Sequence, residues 1–233
     1  MEKNRLSKIL AACGVASRRK CEEIIFDKKV KVNDLLVTVP QTMVDPAVDK
    51  ITVDGKEIKA VNKKIYLMMH KPRGYTCTHE RVRGKKVIYD LLQEFEERLF
   101  SIGRLDRDTS GLLLFTNDGH FANEVIHPSK NITKEYLVRT VEPVTDLHLK
   151  AISQGIRIDG KQIRPVKVKK VRNETMKIGV KEGKKHEVRL LIKHAGLTLR
   201  ELKRIRIGGL VLSTLKEGQF SHLSENDKKQ IFS

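Results

Sequence analysis

The sequence has no run of about 18 or more apolar residues, the length that a membrane-crossing helix requires. Its start, Met1-Glu2-Lys3-Asn4-Arg5, leads into no signal-peptide core, so a cytoplasmic protein is expected. Cysteine is scarce: Cys13, Cys21 and Cys77 form no CxxC pair and have no histidine at metal-ligand spacing beside them. That pattern argues against a disulfide scaffold and a zinc site and fits a reducing compartment. There is no ligand cluster and no phosphate-cradling glycine loop, so neither a metal nor an organic cofactor is expected. Acid is short as well. Against 47 Lys and Arg stand 29 Asp and Glu, a formal net charge of +18 over 233 residues. Such an excess calls for a partner of dense negative charge, nucleic acid ahead of an anionic membrane. The most basic stretch is broken by Gly179, Gly183 and Gly196, which denies it the long amphipathic helix that a membrane-surface protein would need.

The charge is uneven. Between Lys161 and Arg206 there are 16 Lys and Arg, 4 Glu and no Asp, which marks that segment as a candidate nucleic-acid surface. The most informative string is Gly103-Arg104-Leu105-Asp106-Arg107-Asp108-Thr109-Ser110-Gly111, an RxDRD cluster bounded by glycines and followed by the apolar run Leu112 to Phe115. The run reads as a buried strand that holds the loop, and loops fixed by rigid strands are where chemistry tends to sit. Read as physics alone, the cluster could also be a surface turn whose charges satisfy one another.

At the N-terminus, Leu6, Ile9, Leu10 and Cys13 recur at helical spacing and Gly14 ends the helix. Ser17 caps a second helix carrying Cys21, Ile24 and Ile25, so Cys13 and Cys21 read as small buried hydrophobes. The first turn of this second helix holds Arg18, Arg19 and Lys20, where the helix dipole favours acids. A docked phosphate would make that placement favourable. Strands are then expected at Lys29–Val32 and, past Asn33-Asp34, at Leu36–Val39. A hairpin follows at Ile51–Ile58 around Asp54-Gly55. Lys59 to Lys64 reads as a linker. Ile65–His70 is an apolar strand closed by the turn Lys71-Pro72-Arg73-Gly74.

Farther on, Asn117-Asp118-Gly119 reads as a turn, Phe121 and Val125 share a helix face, and Pro128 ends that helix. Thr133–Arg139 alternates as a strand with Tyr136 and Val138 on one face. Leu147, Leu149 and Ile152 suggest a helix, and Gly155–Gly160 a hairpin. A glycine turn at Lys181–Lys185 enters an apolar-periodic segment running to Gly196.

Several of these strings resemble known families. RLSKILAACGVASRRKCEEIIFDKKVKVNDLLV resembles the S4 RNA-binding domain, and GRLDRDTSGLLLFTNDG resembles the signature loop of the pseudouridine synthases, the group of ribosomal small-subunit synthase A and large-subunit synthases B, E and F. HKPRGY, KEY, EGKKHEVRL and LKRIRIGG resemble that group's remaining segments, so the likeness spans nearly the whole chain. It implies an α+β protein: a small N-terminal S4 (αL-type) domain at 1–60, then a synthase domain at 64–233 with a mixed, largely antiparallel sheet flanked by helices.

The implied reaction is isomerisation of a specific uridine in ribosomal RNA, with a large-subunit synthase B favoured over a small-subunit synthase A. The implied catalytic residues are Asp106, Tyr136 packed on the uracil, and Arg189 paired with Asp106. Arg104 would fill the gap left by the flipped-out nucleotide. The implied RNA contacts are Arg5, Lys8, Ser17, Arg18, Arg19, Lys28, Lys31, Lys71, Arg73, Lys203 and Arg204. His70 departs from the first position of the family's NKPRGY-type segment, and in the EGKKHEVRL segment two more positions depart, Glu187 for the usual glutamine and Leu190 for the usual second basic residue. The expected partner is ribosomal RNA or a ribosome-assembly intermediate, with no membrane, and the expected state is a monomer. The competing function is a catalytically silent RNA-binding assembly factor.

Overall fold

A computed structural model describes residues 3–59, 63–158, 160–181 and 186–233. The chain divides into two compact units, one holding Met1–Ile65 with Phe95–Leu99 and Asn117–Gly119, the other Tyr66–Glu94, Phe100–Thr116 and His120–Ser233.

In the first unit, helices α1 (Leu6–Ala12) and α2 (Arg18–Phe26) form where the apolar spacing predicts them. Gly14 turns the chain between them at φ +82°, and the Ser17 hydroxyl accepts from the Lys20 amide at 3.3 Å, capping α2. Leu6, Ile9, Leu10, Cys21 and Ile25 meet Val30, Val44, Ile51 and Val53 in one core, with Cys13 packed at its edge. Against it lies a four-stranded sheet in the order β2-β1-β3-β4, with β1 at Val30–Val32, β2 at Leu35–Leu36, β3 at Ile51–Val53 and β4 at Lys56–Glu57. Both turn pairs, Asn33-Asp34 and Asp54-Gly55, have two positive φ angles, the hairpin geometry that those residue types tolerate. The strand expected over Leu36–Val39 is only Leu35–Leu36. Its partner runs out at Val30, because Lys28 (φ +60°) and Lys29 turn back to α2.

The second unit is built on a nine-stranded sheet. Its strands are β5 (Tyr66–Lys71), β6 (Phe100–Ile102), β7 (Ser110–Thr116), β8 (Lys134–Thr140), β9 (Lys167–Arg172), β10 (Thr175–Val180), β11 (Leu199–Ile207), β12 (Leu210–Val211) and β13 (Phe220–His222). Seven run in the order β9-β10-β8-β11-β7-β5-β13, with β6 also paired to β7 and β12 to β11. Only β7 and β11 pair in parallel, so the sheet is mixed and largely antiparallel, as expected.

Every residue of β7 is buried, which is why its sequence is a continuous apolar run and not an alternation. Two cores flank this middle. One gathers Val138, Met176, Ile178 and Leu202 under Val188, Leu191 and Ile192 of α5 (Glu187–His194). The other gathers Met68, Leu112, Leu114 and Ile207 under Phe121, Ala122 and Val125 of α3 (Gly119–Ile126). Gly119 thus opens α3, where the sequence suggested it would close a turn.

Helix α4 (Asp146–Gln154) forms as expected, but it buries Ile152 and leaves Leu147 exposed at 78 %. Five residues earlier on a 3.6-residue period, Leu147 points away from the face that packs. The hairpin pairs Ile156–Ile158 with Lys161–Ile163. The glycine turn at 182–185 lies outside the described residues. All three cysteines are free thiols, and among the described residues no helix is long and apolar enough to cross a membrane.

Candidate active site

The loop between β6 and β7 carries Arg104 to Thr109, and three restraints fix its backbone. The Lys71 ammonium donates to the carbonyls of Pro72 (3.0 Å), Arg107 (3.3 Å) and Thr109 (2.8 Å). The Gly74 amide donates to the Arg107 carbonyl at 2.8 Å, and the Cys77 thiol donates to the Leu105 carbonyl at 3.4 Å. The turn after β5 and the RxDRD loop are therefore tied into one piece. Gly111 explains the end of the motif. At φ +111°, a Cβ there would sit 2.2 Å from the Arg204 carbonyl oxygen, so the close parallel approach of β7 and β11 admits no side chain.

This loop sets the Asp106 carboxylate, 40 % exposed, against the first turn of α5. Arg189 Nε lies 3.3 Å from Asp106 Oδ2, and its Nη2 donates to the Thr109 hydroxyl at 3.0 Å. Thr109 is itself buried, and its amide donates to the Asp106 carbonyl at 3.1 Å. The guanidinium therefore bridges carboxylate and loop, a geometry that a flexible ammonium would hold less well. His186, one turn before Arg189, places Nε2 at 3.5 Å from Asp106 Oδ1. No periodicity marks His186 or Thr109; the only sequence signal is position, His186 three residues before Arg189 and Thr109 three after Asp106.

A cavity of about 720 Å³ opens beside the carboxylate. Asp106, Arg104, Tyr136, Arg189, Lys134 and Arg204 are among its walls, and Thr76 to Thr78 line it from another side. Tyr136 and Arg204 are register partners on β8 and β11, so the tyrosine and a second guanidinium are neighbours on one sheet face. Burial lowers the Lys134 pKa, and Arg204 beside it lowers it further, against an opposing pull from Glu187. The pocket thus combines one carboxylate, several cations and an aromatic ring, a set suited to a polyanion that presents a planar base.

One expected RNA contact, Lys71, is overturned here, and another, Arg204, lies on the cavity wall. Lys71 is fully buried and spent on three carbonyls, and burial lowers its pKa, so no phosphate can reach it. Arg204 is 4 % exposed and donates through Nε to the Leu112 carbonyl at 2.7 Å, which makes it part of the pocket wall and not of the outer surface. Arg73 is exposed and reaches the Arg200 carbonyl at 3.1 Å, Lys203 is half-buried, and Arg104 is exposed.

In the first unit Arg5, Lys8, Ser17, Arg18, Arg19, Lys28 and Lys31 are all exposed. The Ser17 oxygen is occupied as a cap, yet its proton stays available to an anion. Of the departures in the last motif, Glu187 is buried at the start of α5, and Leu190, half-buried, packs against the core beneath that helix.

Residues 65–194 match the family of RNA pseudouridylate synthases, and residues 4–49 match the S4 domain. A chloroplastic protein of Arabidopsis thaliana, named as a candidate ribosomal large subunit pseudouridine synthase, is 42% identical over 97% of this chain, which spans 60% of that relative's length. The ribosomal large subunit pseudouridine synthase B of Bacillus subtilis is 35% identical over 97% of this chain and 95% of its own. A crystal structure of a pseudouridylate synthase superimposes with a TM-score of 0.70 at 27% identity, covering 98% of this chain and 99% of that one.

Proposed function

This chain belongs to the RNA pseudouridylate synthase family and carries an S4 domain, and from that premise we propose that it isomerises one uridine of ribosomal RNA to pseudouridine. The single observation that carries the reading is the Asp106 carboxylate, held by Arg189 at 3.3 Å on the wall of a cavity that also presents Tyr136. In the reaction the C1′–N1 bond breaks, the uracil turns, C5 bonds to C1′, and the proton that leaves C5 is balanced by one gained at N1. Nothing is added or lost, so the chemistry asks for a group beside the sugar and an acceptor for the C5 proton.

Asp106 takes the first role. Arg189 supplies its counter-charge and, through Thr109, keeps it aimed. Tyr136 takes the second role and packs on the base. The target nucleotide reaches the cavity only by leaving its stack, and exposed Arg104 at the rim fills the space it vacates.

The S4 domain, taken as residues 1–60, holds flanking RNA through Arg5, Lys8, Ser17, Arg18, Arg19, Lys28 and Lys31. The catalytic domain, taken as 64–233, adds Arg73 and Lys203. Large-subunit ribosomal RNA is the favoured substrate, by likeness to the Bacillus subtilis protein. A cytoplasmic monomer acting on that RNA or on an assembly intermediate completes the proposal.

Mapping pseudouridines in ribosomal RNA from a strain lacking the gene tests it. The expected result is loss of one modified uridine, restored by the wild-type gene. An unchanged map in both ribosomal RNAs contradicts it.

A further inference from the structure

Strands β9, β10, β8 and β11 alternate their side chains between two faces. Tyr136, Val138, Ile178, Met176, Leu202 and Arg204 point to the face that carries the cavity and the core under α5. The other face is set by register: Lys169 stands opposite Lys177, Lys177 opposite Leu137, and Leu137 opposite Lys203. Lys167, two residues before Lys169, shares that side. The four lysines, on β9, β10 and β11 with Leu137 of β8 between them, therefore form a band on the side of the sheet turned away from the cavity. Lys167 and Lys169 are exposed, and Lys177, Leu137 and Lys203 are half-exposed, so solvent reaches the band.

The charge on this face is one-sided. Its acids are already engaged, Glu201 with Arg139 at 3.6 Å and Glu135 with Arg206 at 3.7 Å. Like charges directly opposite on neighbouring strands destabilise a sheet, and the Lys169–Lys177 pair is such a contact on an edge ladder. An anion laid across the band would reverse that cost.

We propose that this lysine face is a second RNA-binding surface, a track for the phosphate backbone of a substrate segment that does not enter the cavity. This rests on the RNA-substrate reading above and extends it: the preferred substrate is a long, folded RNA that reaches around the edge strand β9, not an isolated stem-loop. Specificity stays with the cavity, because lysines meet phosphates as point charges and read no base.

The test uses the full chain with Lys167→Gln, Lys169→Gln and Lys177→Gln combined. RNA affinity is measured against salt, with kcat and KM, on a short stem-loop and on a long ribosomal RNA fragment. On the long fragment the variant is expected to lose roughly two units of salt slope, at about 0.7–0.9 per phosphate contact, and to show a KM raised about tenfold or more with kcat unchanged. On the stem-loop both proteins behave alike. The melting temperature holds or rises, since a like-charge contact is removed.

An unchanged slope and KM on the long fragment, with the wild type active, overturns the inference. So does a variant that keeps RNA affinity but loses binding to anionic phospholipid vesicles, which would make the face a membrane contact. If the wild type modifies no ribosomal RNA, the catalytic reading fails, while the salt slope still decides the role of this face. Should the triple variant misfold, Lys169→Gln alone, which relieves the repulsion, is read against a roughly one-unit fall in slope.

Discussion

Lys71 is buried where no phosphate reaches it. It donates to three carbonyls, of which that of Arg107 also accepts from the Gly74 amide, and each carbonyl left buried without a donor costs about 1–3 kcal/mol. Lys71→Met is therefore expected to lower unfolding stability by roughly 2–4 kcal/mol, as measured by urea titration, while the salt slope of RNA binding stays as in the wild type. A reduced slope at intact stability would restore the lysine to the RNA surface. Arg189 behaves differently. It touches the carboxylate directly, so Arg189→Met removes the counter-charge of Asp106 and loosens Thr109. Turnover near neutral pH is expected to fall by about two orders of magnitude or more with RNA affinity nearly unchanged. Wild-type turnover in this variant would show that Arg189 stands outside the reaction.

At the scale of elements, α2 starts with Arg18, Arg19 and Lys20 and no acid in its first turn, an arrangement that an arriving phosphate would turn from cost to gain. Replacing Arg18, Arg19 and Lys31 with Ala is expected to weaken binding about uniformly across RNA sequences and to flatten the salt slope by roughly one unit per lost contact. An unchanged slope in a salt titration sinks the phosphate reading.

The helices and hairpins of both units were legible because their signals are local. The Ser17 cap, the Asp54-Gly55 turn and the apolar spacing of α1 each act within a few residues. What escaped depended on distance. Whether Lys71 faces water or three carbonyls is decided by a loop more than 30 residues away along the chain. The burial of Arg204 follows from its parallel pairing with Gly111, which no periodicity announces. The extent of β2 was overestimated because a strand lasts only as long as its partner, and the partner's end is set by α2.

At the scale of the whole molecule, a net charge of +18 raises affinity for any nucleic acid and gives no turnover. Binding alone therefore cannot separate an enzyme from an RNA-binding assembly factor. The separation lies in one carboxylate that is not part of the cationic surfaces. Asp106→Asn keeps the shape and hydrogen-bonding capacity of the side chain while removing its charge and its nucleophilic character.

The decisive measurement follows pseudouridine formed on a ribosomal RNA fragment by wild type and Asp106→Asn side by side, with a binding titration for each. The account predicts that the variant binds as tightly as the wild type and forms no pseudouridine. Equal product from both proteins, or none from the wild type on ribosomal RNA or its assembly intermediates, would contradict it.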